Sequence, residues 1–315
     1  MDAKPVVKIG INPHWYSQFW IKQFWQLWRA GDIQLLPLVR KKNPYASFYF
    51  EVNGRPCLID VHDKKELQWD PAPYFIYFKA NFSPELNYPE NVRLCWNGTT
   101  LKRENVPGDT PKDFDLVFIS SITGGRHHKV ALYEALADLP LKQKLVLKLL
   151  TDDDEERWGD YVRQRGVETA TETWPYREWL AWQKRSRWCV LTRGKHDCLS
   201  FKMLDYMSIG AAVVADYSPT SHWPVELVAD THYLNLAVPP FAGDEMVKPD
   251  FERLRTVYRE RAQLALASLK DEHLRQNISA ANYDYFRREI ADGAAARWAL
   301  TQVMARHAVP EGVKQ

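Results

Sequence analysis

Cysteine is scarce and never paired. Cys57, Cys95, Cys189 and Cys198 are the only four, with no Cys-x-x-Cys among them, so neither a disulfide framework nor a thiolate zinc site is indicated and buried thiols are expected. No run approaches the ~20 apolar residues that a membrane-spanning helix needs. The opening MDAKPVVKIGINPHW lacks the apolar core of a secretory signal, and the expectation is a cytoplasmic protein. A charge excess is missing as well: 42 Lys and Arg stand against 40 Asp and Glu, a formal +2, far from the basic surplus of proteins that bind nucleic acid by neutralising phosphates. No internal repeat is found, which excludes a repeat architecture.

What is present is apolar and aromatic. At 315 residues and 45% hydrophobic, the chain exceeds the size at which single cores usually divide, so two domains are expected. Aromatic residues make up 13%, concentrated in HWYSQFWIKQFWQLW. Such rings can stack on sugars, but Trp20, Phe24, Leu27 and Trp28 fall at helical spacing and are expected to pack in the core.

Val6–Ile11 predicts a strand, a loop at Asn12-Pro13 and a helix from about Trp15 to Ala30, broken at Gly31-Asp32. IQLLPLV, SFYFEV, PCLIDV and PYFIYF follow as strands, with Asn53-Gly54 marking a hairpin, so the first half mixes a hairpin into a mainly parallel sheet. The pattern dissolves in NGTTLKRENVPGDTPK, which places the boundary there and gives domains 1–112 and 113–315. Beyond it, strands near Leu116–Ser120, Leu145–Leu150, Trp188–Leu191 and Ala211–Ala215 alternate with helices near 126–138, 155–165, 176–185 and 200–209. That alternation predicts a parallel, doubly wound sheet. The part from Pro249 onward reads as closing helices.

Ser186 to Asp216, SRWCVLTRGKHDCLSFKMLDYMSIGAAVVAD, carries the most chemistry. A loop opened by Arg193-Gly194, then a helix holding Ser200, Lys202 and Asp205, at the carboxyl edge of a parallel sheet suit an anion. Arg193 and Lys202 would add charge-assisted bonds to a diphosphate. The glycines of Ser120-Ser121-Ile122-Thr123-Gly124-Gly125-Arg126-His127-His128 let backbone approach a phosphate. His127 and His128 are not read as a metal site, since neighbouring helical side chains diverge by about 100°. The acidic run Asp152 to Glu156 reads as a helix start, and no metal is expected.

Ser200-x-Lys202-Met203-x-Asp205, with Gly210 and the apolar Ala-Val-Val run beyond it, resembles the donor-binding segment of exostosin-like and bacterial polysaccharide-type GT-B glycosyltransferases. Lys202 stands where Arg is commoner, Tyr206 where a small residue is usual and Ala212 where Pro is usual. The resemblance, over about Phe114 to Leu236, implies an α/β GT-B architecture of two Rossmann-like domains facing a central cleft. It implies transfer of a sugar from a nucleotide-sugar donor, itself the substrate, to an acceptor hydroxyl, with no further cofactor and no metal. Donor contacts would be Gly125, Arg126, Arg193, Gly194, Ser200, Lys202 and Asp205. Some phage enzymes of this fold act on nucleic acid, an acceptor that the near-neutral charge disfavours.

The transfer needs a group to take the acceptor's proton, and three first-domain loops leave predicted strand ends with Asn12-Pro13-His14, Asp60-Val61-His62-Asp63 and Phe78-Lys79-Ala80-Asn81. Asp63 and His14 are the base candidates, with His62 and Asp60 as alternatives, and Lys79 is the candidate anion or acceptor contact. A nucleotide-sugar epimerase and a non-catalytic two-domain sugar-binding protein are the competing readings.

Overall fold

The computed structural model describes residues 4–10, 15–38, 47–98, 110–122, 127–194, 198–217, 222–239 and 250–308. Its strands form two sheets of six. The first takes β1 (Val6–Gly10), β2 (Gln34–Leu38), β3 (Ser47–Val52), β4 (Arg55–Asp60), β5 (Ile76–Lys79) and β6 (Val92–Leu94) in the order β2-β1-β3-β4-β5-β6. β3 and β4 form the expected hairpin. Asn53 and Gly54 both take positive φ, 50° and 80°, as a two-residue turn matched to strand twist requires. β3 also runs antiparallel to β1, and the other neighbours are parallel. β6, which alternation did not single out, is only three residues long.

Helix α1 (Trp15–Ala30) covers one face of this sheet. Trp20, Phe24 and Leu27 are fully buried, as their spacing predicts, but Trp28 is 48% exposed. The reason is angular: with about 100° per residue, Trp28 lies one step beyond Leu27, off the stripe that faces the sheet.

The second sheet is parallel throughout and orders β12-β11-β10-β7-β8-β9. Its strands are β7 (Phe114–Ser121), β8 (Gln143–Lys148), β9 (Thr169–Ala170), β10 (Ser186–Leu191), β11 (Ala212–Ala215) and β12 (Leu234–Asn235). Helices α2 (His127–Ala137), α3 (Asp152–Gln164), α4 (Tyr176–Lys184) and α5 (Lys202–Ser208) connect them. The acidic run opens α3, where the Thr151 hydroxyl accepts from the Asp154 amide at 3.1 Å and the carboxylates sit at the positive helix end. His128 is buried, and the His127 ring packs on Trp158 at 4.8 Å. All four cysteines are buried. No helix among the described residues is long and apolar enough to cross a membrane.

Two helices, α6 (Phe251–Lys270) and α7 (Glu272–Tyr285), pack on the second domain, α6 against α2 and α7 against α5 and β11. The chain then turns through a π-type segment and a 3-10 turn into α8 (Ala294–Ala308), which packs on α1 of the first domain. The last described helix thus lies against the first sheet's helix. A single apolar cluster runs from Trp20, Phe78 and Trp96 to Cys189, Met203 and Tyr285, so the two sheets share a core. At the crossing, Trp96 Nε1 donates to Tyr285 Oη at 3.1 Å, and Tyr285 Oη donates to the Val225 carbonyl at 2.8 Å. The Trp298 ring lies 5.2 Å from Trp96 and 5.8 Å from Phe78.

The turn into α8 needs glycine. Gly293 has φ +81°, and a Cβ there would stand 2.8 Å from Leu27 Cδ2 and 3.1 Å from the Gln23 carbonyl. Gly293→Ala should therefore cost about 2–3 kcal/mol, the left-handed penalty plus the clash. Scanning calorimetry would read this as a fall in Tm of several degrees, and an unchanged Tm would show that the crossing tolerates a side chain.

Candidate functional site

Both sheets turn their carboxyl edges toward the same region. Loops 60–63 and 80–81 of the first domain meet residues 198–201 of the second around a void of about 20 Å³. Asn97 Nδ2 donates to the Leu199 carbonyl across this junction at 2.6 Å, and the His222 amide donates to the Phe82 carbonyl at 3.0 Å.

On the first-domain side, Asp63 is exposed and His62 half-buried at this void. Their loop is fixed by Asp60, whose Oδ2 accepts from Tyr77 Oη at 2.5 Å and Lys79 Nζ at 3.1 Å while Oδ1 accepts from the His62 amide at 2.9 Å. Lys79 Nζ also donates to the His62 carbonyl at 3.2 Å. Burial and the Asp60 charge push the Tyr77 phenol well above its ordinary range. Lys79 is corrected by this arrangement: it was expected to meet an anion or acceptor, but both its side chain and that of Asp60 are 0% exposed. A cation placed beneath a loop, next to a buried carboxylate, has no path to a ligand, so Lys79 positions the loop. Asp60 is likewise committed and drops out as a base. His14 lies outside the described residues.

On the second-domain side, a cavity of about 380 Å³ opens beside the ends of β7 and β8. Lys202 and Asp205 line it, as the sequence motif suggests, together with Lys148, Trp174, Tyr176, Trp179 and Phe201. Phe201 also lines the small void, so it borders both the cavity and the junction with the first-domain loops. Lys202 Nζ donates to the Ile119 carbonyl at 3.2 Å and lies 5.9 Å from the Trp179 ring. Tyr176 Oη donates to Asp205 Oδ1 at 3.3 Å. Lys148 Nζ sits 5.1 Å from the Trp174 ring, and burial pulls its ammonium below the ordinary lysine range. Sequence reading did not single out Lys148 or the aromatic wall. The available signals were a lysine at the end of an apolar strand and the aromatic density of TWPYREWLAW.

Two expectations for the donor loop change. The helix expected from Ser200 begins at Lys202 and has only seven residues, so the charge it offers an anion comes mainly from its lysine. Arg193 does not line the cavity. It is 1% exposed, with Nη2 donating to the Val238 and Pro239 carbonyls at 3.4 Å and its guanidinium 4.9 Å over the Tyr217 ring. Its amide donates to Asp216 Oδ1 at 3.1 Å, while Asp216 Oδ2 accepts from Thr192 at 2.9 Å and Tyr258 at 2.8 Å. Burial raises the Asp216 carboxyl, opposed by the nearby Arg193 charge. Arg193 therefore braces the loop from below. Gly194 is required where it stands, because a Cβ would overlap Cys198 Sγ and lie 2.9 Å from the Cys198 carbonyl oxygen. Ser200 Oγ accepts from the Lys202 amide at 3.4 Å and does not line the cavity. Gly125 and Arg126 lie outside the described residues.

Neither a protein-family profile nor a curated protein sequence matches this chain. Solved structures do. Anabaena HepE, in complex with UDP-glucose, superposes with a TM-score of 0.50 at 12% identity, over 74% of this chain and 64% of HepE. The pneumococcal O-GlcNAc transferase GtfA, in complex with UDP and GlcNAc, gives 0.49 at 9% identity over 76% of this chain and 46% of its own. The C-terminal domain of LpcC, a glycosyl transferase group 1 family protein from Francisella tularensis, gives 0.38 at 16% identity over 57% and 87%. The chain spans less than two thirds of the length of HepE and of GtfA. The likeness to HepE and the two facing sheets define the fold: this chain has the GT-B fold, two Rossmann-like domains whose carboxyl edges oppose each other.

Removing the Lys79 ammonium leaves Asp60 as a buried, uncompensated charge, so Lys79→Met should cost about 3–5 kcal/mol. Pairing it with Asp60→Asn removes that charge while keeping one oxygen to accept from the His62 amide and an NH2 that can donate to Tyr77 Oη, and should recover part of the loss. Urea denaturation of the three variants checks this; a double variant no more stable than Lys79→Met would mean the pair does not carry the loop.

Proposed function

We propose that the protein is a metal-independent glycosyltransferase that holds a nucleotide-sugar donor in the second-domain cavity and passes the sugar to an acceptor hydroxyl presented by the first domain. One observation carries this reading: two ammonium groups and one carboxylate converge among aromatic rings in a single cavity at the carboxyl edge of a parallel sheet, in a GT-B fold. A nucleotide diphosphate combines the features this lining complements. Aromatic faces stack on a base, a carboxylate accepts from ribose hydroxyls, and lysines neutralise phosphates. Gly125 and Arg126, by their place in the sequence, are assigned to the same phosphates.

In the proposed reaction the acceptor oxygen attacks the anomeric carbon, the bond from that carbon to the phosphate oxygen breaks, and the diphosphate leaves with the electron pair. Lys202 and Lys148 stabilise that growing charge in place of a metal ion. The acceptor proton passes to a first-domain base. Asp63 is the proposed base, since its carboxylate is exposed at the junction, with His62 beside it and His14 as the alternative from the sequence.

A thermal-shift screen of UDP, GDP, CMP, dTDP and ADP sugars tests donor binding, with UDP-glucose first because HepE holds it. A donor at ~100 times its Kd should add ~2.7 kcal/mol of stability. Lys202→Ala should weaken donor binding and cost ~2–4 kcal/mol in the transition state, roughly 30- to 1000-fold in turnover. Lys195→Ala, outside the motif, should not. Arg193→Ala should instead lower Tm, because its buried contacts hold the loop. Turnover that survives a chelator is expected, and activity restored only by magnesium or manganese would overturn metal independence. Sugar inversion without an acceptor would favour an epimerase, and donor binding without turnover would favour a sugar-binding protein.

A further inference from the structure

The outer face of α1 does not fit a surface that meets only water. About 100° round the helix from the buried Trp20–Phe24–Leu27 stripe, Ile21, Trp25 and Trp28 follow one another at i, i+4 and i+7; Ile21 is partly buried against the core and the two tryptophans stand out beyond it. Trp25 is 45% and Trp28 48% exposed, two of the largest apolar side chains on the molecule's surface. The adjoining row carries Gln18, Lys22 and Arg29, and the Arg29 guanidinium lies 4.9 Å over the Trp25 ring.

Charge on α1 itself is of one sign. The helix has no acidic residue. Its basic residues are Lys22 and Arg29, and the nearest acid after it in sequence is Asp32. Asp32 is itself paired with Arg297 on α8 at 2.9 Å. The helix thus carries two basic side chains and no acidic one, in a chain whose whole formal charge is only +2.

We infer that the outer face of α1 docks on an anionic lipid bilayer. Tryptophan is the side chain that settles at the boundary between headgroups and acyl chains, its apolar ring buried and its N–H still wet. Flanking Lys and Arg are drawn to anionic headgroups within a Debye length. A purely apolar partner groove would use the ring row but not the cations beside it. A free anion would use the cations but gain nothing from two exposed indoles. The helix lies in the surface plane with its other face locked to the sheet, so docking needs no unfolding and buries the rings only to headgroup depth. The inference stands apart from the proposed glycosyl transfer, because it concerns a different face and is read by binding alone.

Sedimentation with phosphatidylcholine vesicles, with and without one third phosphatidylserine, tests it in the full chain. The protein should pellet with the anionic vesicles and not with phosphatidylcholine alone, and added salt should release it. Trp25→Ser with Trp28→Ser should weaken binding at least about tenfold, and Lys22→Gln with Arg29→Gln about fivefold per charge. Both pairs lie off the buried stripe, so an unchanged Tm will confirm folding; quenching by brominated lipid should disappear in the Trp25→Ser, Trp28→Ser variant as a second readout. No binding by the parent chain, or binding unchanged in both double variants, overturns the proposal. So does self-association that the tryptophan pair abolishes while vesicles go unbound, since the face would then be a contact between copies.

Discussion

A buried carboxylate at the carboxyl edge of each sheet gathers the donors that hold the loops facing the cleft. Asp60 ends β4 and accepts from Tyr77, Lys79 and the His62 amide. Asp216 follows β11 and accepts from Thr192, Tyr258 and the Arg193 amide. The two networks solve the same problem. A parallel sheet delivers several strand ends to one edge, and the loops leaving that edge have no ladder of their own to order them. A charged acceptor with several partners orders them at once, because each lost partner would leave desolvated charge. The cost is that the groups so used are removed from ligand chemistry. Lys79 and Arg193 are both such groups, and both sit beneath the surfaces they support.

Two ordered edges make a site only if they stay opposed. Here the opposition is covalent as well as packed. The chain leaves the first sheet, builds the second, and returns through α8, whose Trp298 sits against Phe78 and Trp96. The shared apolar cluster continues through Tyr285. Burial of these rings is what the crossing contributes to stability, and the glycine turn at Gly293 lets α8 approach α1 closely enough to achieve it. The consequence for function is that Asp63 and Phe201, far apart in sequence, line one junction.

The sequence alone determined the elements. Period-two alternation gave β3 and β4 and the Asn53-Gly54 turn between them, and the strand–helix alternation beyond Phe114 gave a parallel sheet, because backbone geometry ties those periods to those structures. The motif Ser200-x-Lys202-Met203-x-Asp205 identified two residues that line the cavity, since three residues along a helix return a side chain to nearly the same face. Tertiary structure decided which charges are available. Arg193 and Lys79 look in sequence like Lys202, polar residues after apolar strands, yet their side chains point beneath their loops while that of Lys202 reaches the cavity. Lys148 and the rings of Trp174 and Tyr176 joined the site only because neighbouring strands of a parallel sheet, distant in sequence, end side by side. Trp28 carries the same lesson: its spacing suited the core, and only the packing of α1 fixed which side of the helix the sheet would cover. Periodicity is local and is written in the chain, whereas burial of a given charge or ring depends on what long-range pairing lays over it.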